Sequence, residues 1–287
     1  MRYLDFHTHT ADSDGMLAAD AVIQKARACG IDVLALTDHN TTQDLTALRR
    51  DNPELTLVQG SELSCLWDDP EGKRRELHVV ALGFDPKHPK IQEAFRRNQP
   101  NRRPYLESIL NSLKKCGIDI GTYEALMAEN NVSRHVGRMH IARKMVRLGY
   151  VPTVDSAFDE YIGEFGQCRA YVPPMLNYIS LEECVDAIRS AGGVAVLAHL
   201  FYYRLDEKTN MALLRQFKSL TGEDGGMETS YARYSEAQRD YLRRLADENH
   251  MLHSAGSDYH AKDSNESLEC RFPCEEFIPL LTRLGIK

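Results

Sequence analysis

Apolar positions in this chain form short continuous runs separated by longer stretches of helical periodicity. Residues 3–7, 33–38, 57–64 and 77–84 read as strands. Residues 18–29 read as a helix, with Val22, Ile23 and Ala26 on one face and a stop at Gly30, which suits the left-handed position after a helix. The polar stretch 68–75 marks a turn that lets the strands on either side pair. From 86 to 174 the pattern changes, because helix-favouring stretches such as 105–115 and 140–148 follow one another without strands. Alternation resumes with a helix at 181–191, a strand at 194–198, a helix at 235–249 and a strand approaching Ser257. The expectation is an α/β domain made of 1–85 and 175–287, interrupted by an inserted helical subdomain at 86–174, with no internal repeat.

Strands separated by helices favour a parallel sheet, whose functional groups gather at the carboxyl ends of the strands. His7 ends the first strand, Asp38 and His39 the second, and Glu62 lies late in the third. His199 follows the strand at 194–198, and Asp258 and His260 close the last. A barrel explains their convergence better than an open sheet, because a ring turns every strand end toward one axis. His7 and His9 are two residues apart and share a face if the strand continues, as do Asp258 and His260. Of eleven histidines, six (His7, His9, His39, His78, His199, His260) fall at or beside strand positions, with Asp14, Glu62 and Asp258 in similar places. Imidazole with carboxylate suits zinc, manganese or iron better than calcium, and the absence of thiolates favours a hydrolytic over a structural site.

Composition adds limits. The formal charge of −7 argues against nonspecific duplex binding, yet part of it is carboxylate that cations would offset, so a phosphorylated substrate stays open. Seven cysteines without paired close spacing read as thiols in a reducing compartment. No segment approaches the roughly 20 apolar residues of a membrane helix, and the expectation is a soluble cytoplasmic enzyme with no obligate protein partner.

The same residues carry a resemblance. Asp5-Phe6-His7-Thr8-His9, Ser13-Asp14-Gly15, Thr37-Asp38-His39, Glu62, His78, Ala198-His199 and Gly256-Ser257-Asp258-Tyr259-His260 resemble the motifs of the PHP (polymerase and histidinol phosphatase) family over nearly the whole chain. The resemblance implies a distorted (β/α)7 barrel with two or three divalent ions (Mn2+, Zn2+ or Fe2+) and phosphoester hydrolysis by a metal-activated hydroxide. It assigns His7, His9, Glu62 and Asp258 to one ion, Glu62, His78 and His199 to a second, and Asp14, His39 and His260 to a third. Glu62, His199 and Asp258 are the catalytic candidates. Asp14 stands where some members have histidine.

The insert contributes Arg134, His135, Arg138, His140 and Arg143. Guanidinium groups suit phosphate through paired hydrogen bonds, while Arg143 and Lys144 read as a solvated helix face. The stretch 137–143 resembles the substrate-binding segment of the nucleoside 3',5'-bisphosphate phosphatase and 5'-3' exoribonuclease subfamily, which implies Arg134, Arg138 and His140 as substrate contacts. After Ala198-His199 that subfamily tends to have proline, then a glycine and an arginine; here the chain reads Leu200-Phe201-Tyr202-Tyr203-Arg204, with Arg204 a candidate replacement cation. Tyr202, Tyr203, Tyr231 and Tyr234 suit packing more than base stacking. A phosphomonoesterase acting on a nucleotide is the leading reading. The alternatives are a 5'-3' exonuclease on short single-stranded RNA or DNA, a histidinol-phosphatase-like enzyme, and a non-catalytic metal-bound scaffold.

Overall fold

The computed structural model describes residues 2–98, 102–129, 136–163, 178–261, 268 and 271–287. Among them eight strands form one sheet: β1 (Tyr3–Asp5), β2 (Val33–Leu36), β3 (Thr56–Asp68), β4 (Arg74–Leu82), β5 (Val194–Leu197), β6 (Gly226–Tyr231), β7 (Leu252–Gly256) and β8 (Phe272–Pro273). Their order is β7-β6-β5-β4-β3-β2-β1-β8. Neighbours run parallel except that β4 is antiparallel to both β3 and β5, and β8 lies antiparallel on β1. The far edge meets the first strand: the Phe6 N–H donates to the Ala255 carbonyl (3.0 Å), the Asp258 N–H to His7 (2.8 Å) and the His9 N–H to Tyr259 (2.8 Å). β1 to β7 therefore close into a distorted seven-stranded barrel with helices around it, and one reversed strand supplies the distortion.

Strand parity explains the continuous apolar runs. Val33, Ala35, Val58, Val80, Leu82, Val194 and Val196 pack together with Leu4 and Phe6 in the barrel interior, while Leu34, Leu36 and Leu57 meet the helix Ala19–Ala28 through Val22, Ile23 and Ala26. Leu63, Cys65, Leu77, Val79, Ala195 and Leu197 cover the same outer face further round. Strands buried on both faces lose the polar alternation that a half-exposed sheet shows. The helices around the barrel start where the sequence supplies caps: Ser180 with Glu183 opens Leu181–Ser190, and Ser235 with Gln238 opens Glu236–Glu248.

The helix Pro89–Asn98 lies inside the range expected for the insert, but its Ile91, Ala94 and Phe95 pack with Leu63, Cys65 and Trp67 of the barrel. A separate apolar cluster gathers residues from Tyr105 to Ile162, including Ile109, Leu113, Ile141 and Met145. Cys65, Cys184 and Cys274 are free thiols, whereas Cys116 is disulfide-bonded, contrary to the reading of the cysteines as thiols. No helix among the described residues is long and apolar enough to cross a membrane.

Candidate metal centre

Glu62 is the middle of the site, and strand parity puts it there. It shares parity with the inward-facing Val58 on β3, and His78 shares parity with the inward Val80 and Leu82 on β4. Both side chains therefore point to the barrel axis. Glu62 is 1 % exposed. One of its oxygens, Oε2, faces His39 Nδ1 (3.0 Å), His9 Nε2 (3.3 Å) and His7 Nε2 (3.4 Å). The other, Oε1, faces His78 Nδ1 (2.8 Å) and His199 Nε2 (3.0 Å).

Around this carboxylate the remaining candidates complete the ring. Asp258 Oδ1 lies 3.2 Å from His9 Nε2 and 3.5 Å from His7 Nε2. Asp14 lies within 3.7 Å of His9 and His39 and 3.2 Å from His260 Nε2. All nine sequence-derived ligands thus converge, in four overlapping groups: His9, Asp14, His39 and His260; His7, Glu62 and His199; His7, His9 and Asp258; and His39, Glu62 and His78.

Two ligands reach the ring through backbone conformation rather than parity. Alternation from Leu197, which faces outward, puts His199 on the outer face; φ of 30° and ψ of 57° turn its ring inward. Asp258 likewise has φ of 54°. Left-handed backbone at a non-glycine residue costs about 1–3 kcal/mol and persists only where its surroundings hold it. Hydrogen bonds do so here: the Tyr231 hydroxyl donates to Asp258 Oδ2 (2.7 Å), and the Glu228 carboxylate accepts the His199 N–H (2.7 Å). Asp38 is no ligand. It accepts from the Thr10 N–H (2.8 Å), the Ser13 hydroxyl (2.6 Å) and Gln43 Nε2 (2.8 Å), and so fixes the loop that carries Asp14.

The donor set fits divalent cations. Nε2 of His7 and of His9, Nδ1 of His78, and Oε2 of Glu62 are buried and crowd one another at 2.8–3.4 Å without well-formed hydrogen-bond geometry, and such groups in a native interior call for an ion or water. The electrostatics agree. Burial pushes the Glu62 carboxyl up, but the His39, His78 and His7 rings outweigh it and hold Glu62 well below the usual carboxylate range. Asp14 and Asp258 are lowered in the same way against their own burial. Conversely, burial lowers His9 and His78, yet neighbouring carboxylates raise both to about 10. Bound divalent cations would supply the balancing positive charge, with the imidazoles deprotonated to hold them.

A cavity of about 440 Å³ opens onto the ring. Arg138 lines it, with its guanidinium 5.8 Å from the Phe158 ring centroid. Arg204 lines it too, near Asp159 (3.4 Å), as does Arg233, near Asp155 (3.7 Å), which the sequence reading did not single out. His140 does not line it: the ring is buried, and its Nδ1 accepts the Gly137 N–H (2.9 Å) at the start of the helix Arg138–Arg147. Arg134 lies outside the described residues. Arg143 and Lys144 are not the solvated face expected from their charge. Arg143 donates to the carbonyls of Asp14 (3.4 Å) and His260 (3.2 Å), and Lys144 is buried against Glu129. Tyr203, Tyr231 and Tyr234 pack and hydrogen-bond as expected, while Tyr202 is 54 % exposed at the cavity wall.

No sequence-family model matches the chain, but individual proteins do. The 5'-3' exoribonuclease Rnm of Salmonella typhimurium is 32 % identical over 262 residues, 89 % of this chain and 84 % of that one. The 3',5'-nucleoside bisphosphate phosphatase of Chromobacterium violaceum is 31 % identical over 268 residues, 91 % of this chain and 88 % of that one. A solved structure described as a metal-dependent phosphoesterase from Bifidobacterium adolescentis superposes with a TM-score of 0.80 at 25 % identity, covering 98 % of this chain and 96 % of the other. With a closed, distorted barrel, a ring of imidazoles about one carboxylate and relatives that match almost end to end, the chain belongs to the PHP family and is a metal-dependent phosphoester hydrolase.

Proposed function

We propose that this enzyme hydrolyses the phosphate monoester of a nucleotide, a nucleoside mono- or 3',5'-bisphosphate, at a centre of three divalent ions, with Mn2+, Zn2+ or Fe2+ as the fitting metals. The observation that carries the reading is that the ligand ring forms the floor of one cavity whose wall presents Arg138 beside Phe158 and the exposed Tyr202. Imidazole-rich, thiolate-free donors favour those metals. In this reading His7, His9, Glu62 and Asp258 hold one ion, Glu62, His78 and His199 a second, and Asp14, His39 and His260 a third. Glu62 would contribute to two of these sets, since its two oxygens face different histidines. We read residues up to Asn98 and from Tyr178 as barrel and the cluster from Tyr105 to Ile162 as the insert, which supplies Arg138.

Bound divalent ions supply a nucleophile at neutral pH and offset charge on the phosphoryl oxygens. The protein does the rest. Arg138 gives a planar, paired set of donors to phosphate. Tyr231 occupies Oδ2 of Asp258 and leaves Oδ1 toward His7 and His9. Aromatic walls limit water around the ester and offer a face to a base. In this reading the nucleophile is water, with no covalent enzyme intermediate. Phosphate released in heavy-oxygen water should then carry one solvent oxygen per turnover.

The second reading, removal of nucleotides from the 5' end of short RNA, is supported by the relatives named 5'-3' exoribonuclease. One assay separates the two. Mn2+-loaded protein is given nucleoside 5'-mono- and 3',5'-bisphosphates and short 5'-phosphorylated RNAs. Inorganic phosphate from the small substrates supports the first reading, and nucleoside monophosphates from RNA support the second. Neither product above a metal-only control would remove both.

A further inference from the structure

Glu228 sits within β6, is 1 % exposed, belongs to none of the four ligand groups and does not line the cavity. Its two oxygens are nevertheless committed to the centre. Oε1 lies 2.6 Å from His7 Nδ1, and Oε2 accepts the His199 backbone N–H at 2.7 Å. His7 follows β1 and His199 follows β5, so one carboxylate from a third strand ties together two ligands that no hydrogen bond of their own connects. The contact is built into the packing. At Gly256 on the next strand, even a Cβ would come within 2.2 Å of His7 Cβ and 3.0 Å of Glu228 Oε1.

The chemistry of the two bonds is specific. A neutral imidazole that donates from Nδ1 presents a bare lone pair at Nε2, and His7 Nε2 is the atom that faces Glu62 and Asp258. At His199 the bond anchors the residue whose left-handed backbone turns its ring toward Glu62. We infer that Glu228 is a positioning residue that fixes the His7 tautomer and the His199 turn, and so sets the affinity of the metal centre. This rests on the reading of His7 and His199 as ligands.

Glutamine at this position separates positioning from space-filling. It has the same shape, but its amide has one acceptor oxygen where the carboxylate has two. Either the His199 N–H loses its acceptor, or the amide NH2 donates to His7 Nδ1 and forces the proton onto Nε2, the ligating atom. Partners of metal-bound histidines typically contribute 10–100-fold in metal affinity, so Glu228→Gln should bind at least one Mn2+ about 10–100-fold more weakly than wild type, with free Mn2+ followed by electron paramagnetic resonance. In Zn2+-loaded wild-type protein, long-range ¹H–¹⁵N spectra should show a slowly exchanging Nδ1 proton on His7, assigned by its loss in His7→Gln. That spectrum decides the matter even if Glu228→Gln does not fold. Unchanged Mn2+ affinity in a folded Glu228→Gln, or a wild-type His7 with no Nδ1 proton when loaded, overturns the inference alone. Wild-type protein that binds no Mn2+ overturns the ligand reading beneath it.

Discussion

Gly256→Ala places one methyl group at the tightest point of the site. The added Cβ would lie 2.2 Å from His7 Cβ, 3.2 Å from His7 Cα and 3.0 Å from Glu228 Oε1. Nonbonded carbons settle at about 3.5–4.0 Å, so His7 and the strand end carrying it must retreat from β7 by about 1 Å or more. Gly256 is not one of the glycines with left-handed backbone, so the effect is one of space and not of conformational preference. Two costs follow. Overpacking a close-fitted interior destabilises by about 1–3 kcal/mol, and a displacement of about 1 Å at a reacting centre lowers the rate on the order of 100-fold. The variant should therefore fold with a lowered melting temperature, bind Mn2+ more weakly and show kcat/KM for the preferred phosphoester reduced by about two orders of magnitude. Melting curves, Mn2+ titration and steady-state kinetics on the same preparation check all three. Wild-type Mn2+ affinity and wild-type kcat/KM in Gly256→Ala would refute the claim that His7 is held by close packing between β1 and β7.

Arg138→Ala should raise KM for the nucleotide substrate by about tenfold or more, the loss of one charge-assisted pair, with metal content unchanged; an unaltered KM removes Arg138 from the site. On the proposed assignment, Arg143→Ala should lower the Mn2+ bound per chain relative to wild type, measured by elemental analysis after gel filtration, because its guanidinium donates to the Asp14 and His260 carbonyls; wild-type metal content would show that the loops hold themselves. Chelation should destabilise without unfolding. Metal at about 100 times its Kd stabilises by about 2.7 kcal/mol, or roughly 5–10 °C in melting temperature at about 2–4 °C per kcal/mol, and a melt insensitive to EDTA would contradict a structural contribution from the ions.

The convergence of the candidate ligands was legible in the sequence because the barrel places them at strand ends. His7, His9, His39, Asp258 and His260 all follow runs whose apolar pattern marks the strand. Glu62 and His78 sit in mid-strand, since β3 and β4 run past the rim as an antiparallel hairpin, yet even so the β runs containing them were visible. What the sequence hid follows from burial without apolarity. β6 reads Gly-Met-Glu-Thr-Ser-Tyr and is buried throughout, so it shows neither an apolar run nor alternation, and Glu228 went unseen with it. Arg143 was misread for the converse reason. A basic helix position usually meets solvent, but here a tertiary contact to two loop carbonyls overrides that tendency.

The candidate ligands are not all held in the same way, and the difference bears on the helix Arg138–Arg147. His7, His9, Glu62, His78, His199 and Asp258 come from strands or strand ends whose register the closed barrel fixes. Asp14 comes from a loop. That loop is held from the barrel by Asp38 through Thr10 and Ser13 and from the insert by Arg143 through the Asp14 carbonyl. The insert also makes a close approach there: a Cβ at Gly137 would lie 3.0 Å from Asp14 Cβ, so the start of the helix Arg138–Arg147 rests directly on this ligand. The helix that presents Arg138 to the cavity is therefore the same rigid element that abuts Asp14 and reaches the His260 carbonyl. That helix thus contacts both the loop of Asp14 and the cavity wall at Arg138, whereas Glu62 and His78 are carried by the paired barrel strands β3 and β4.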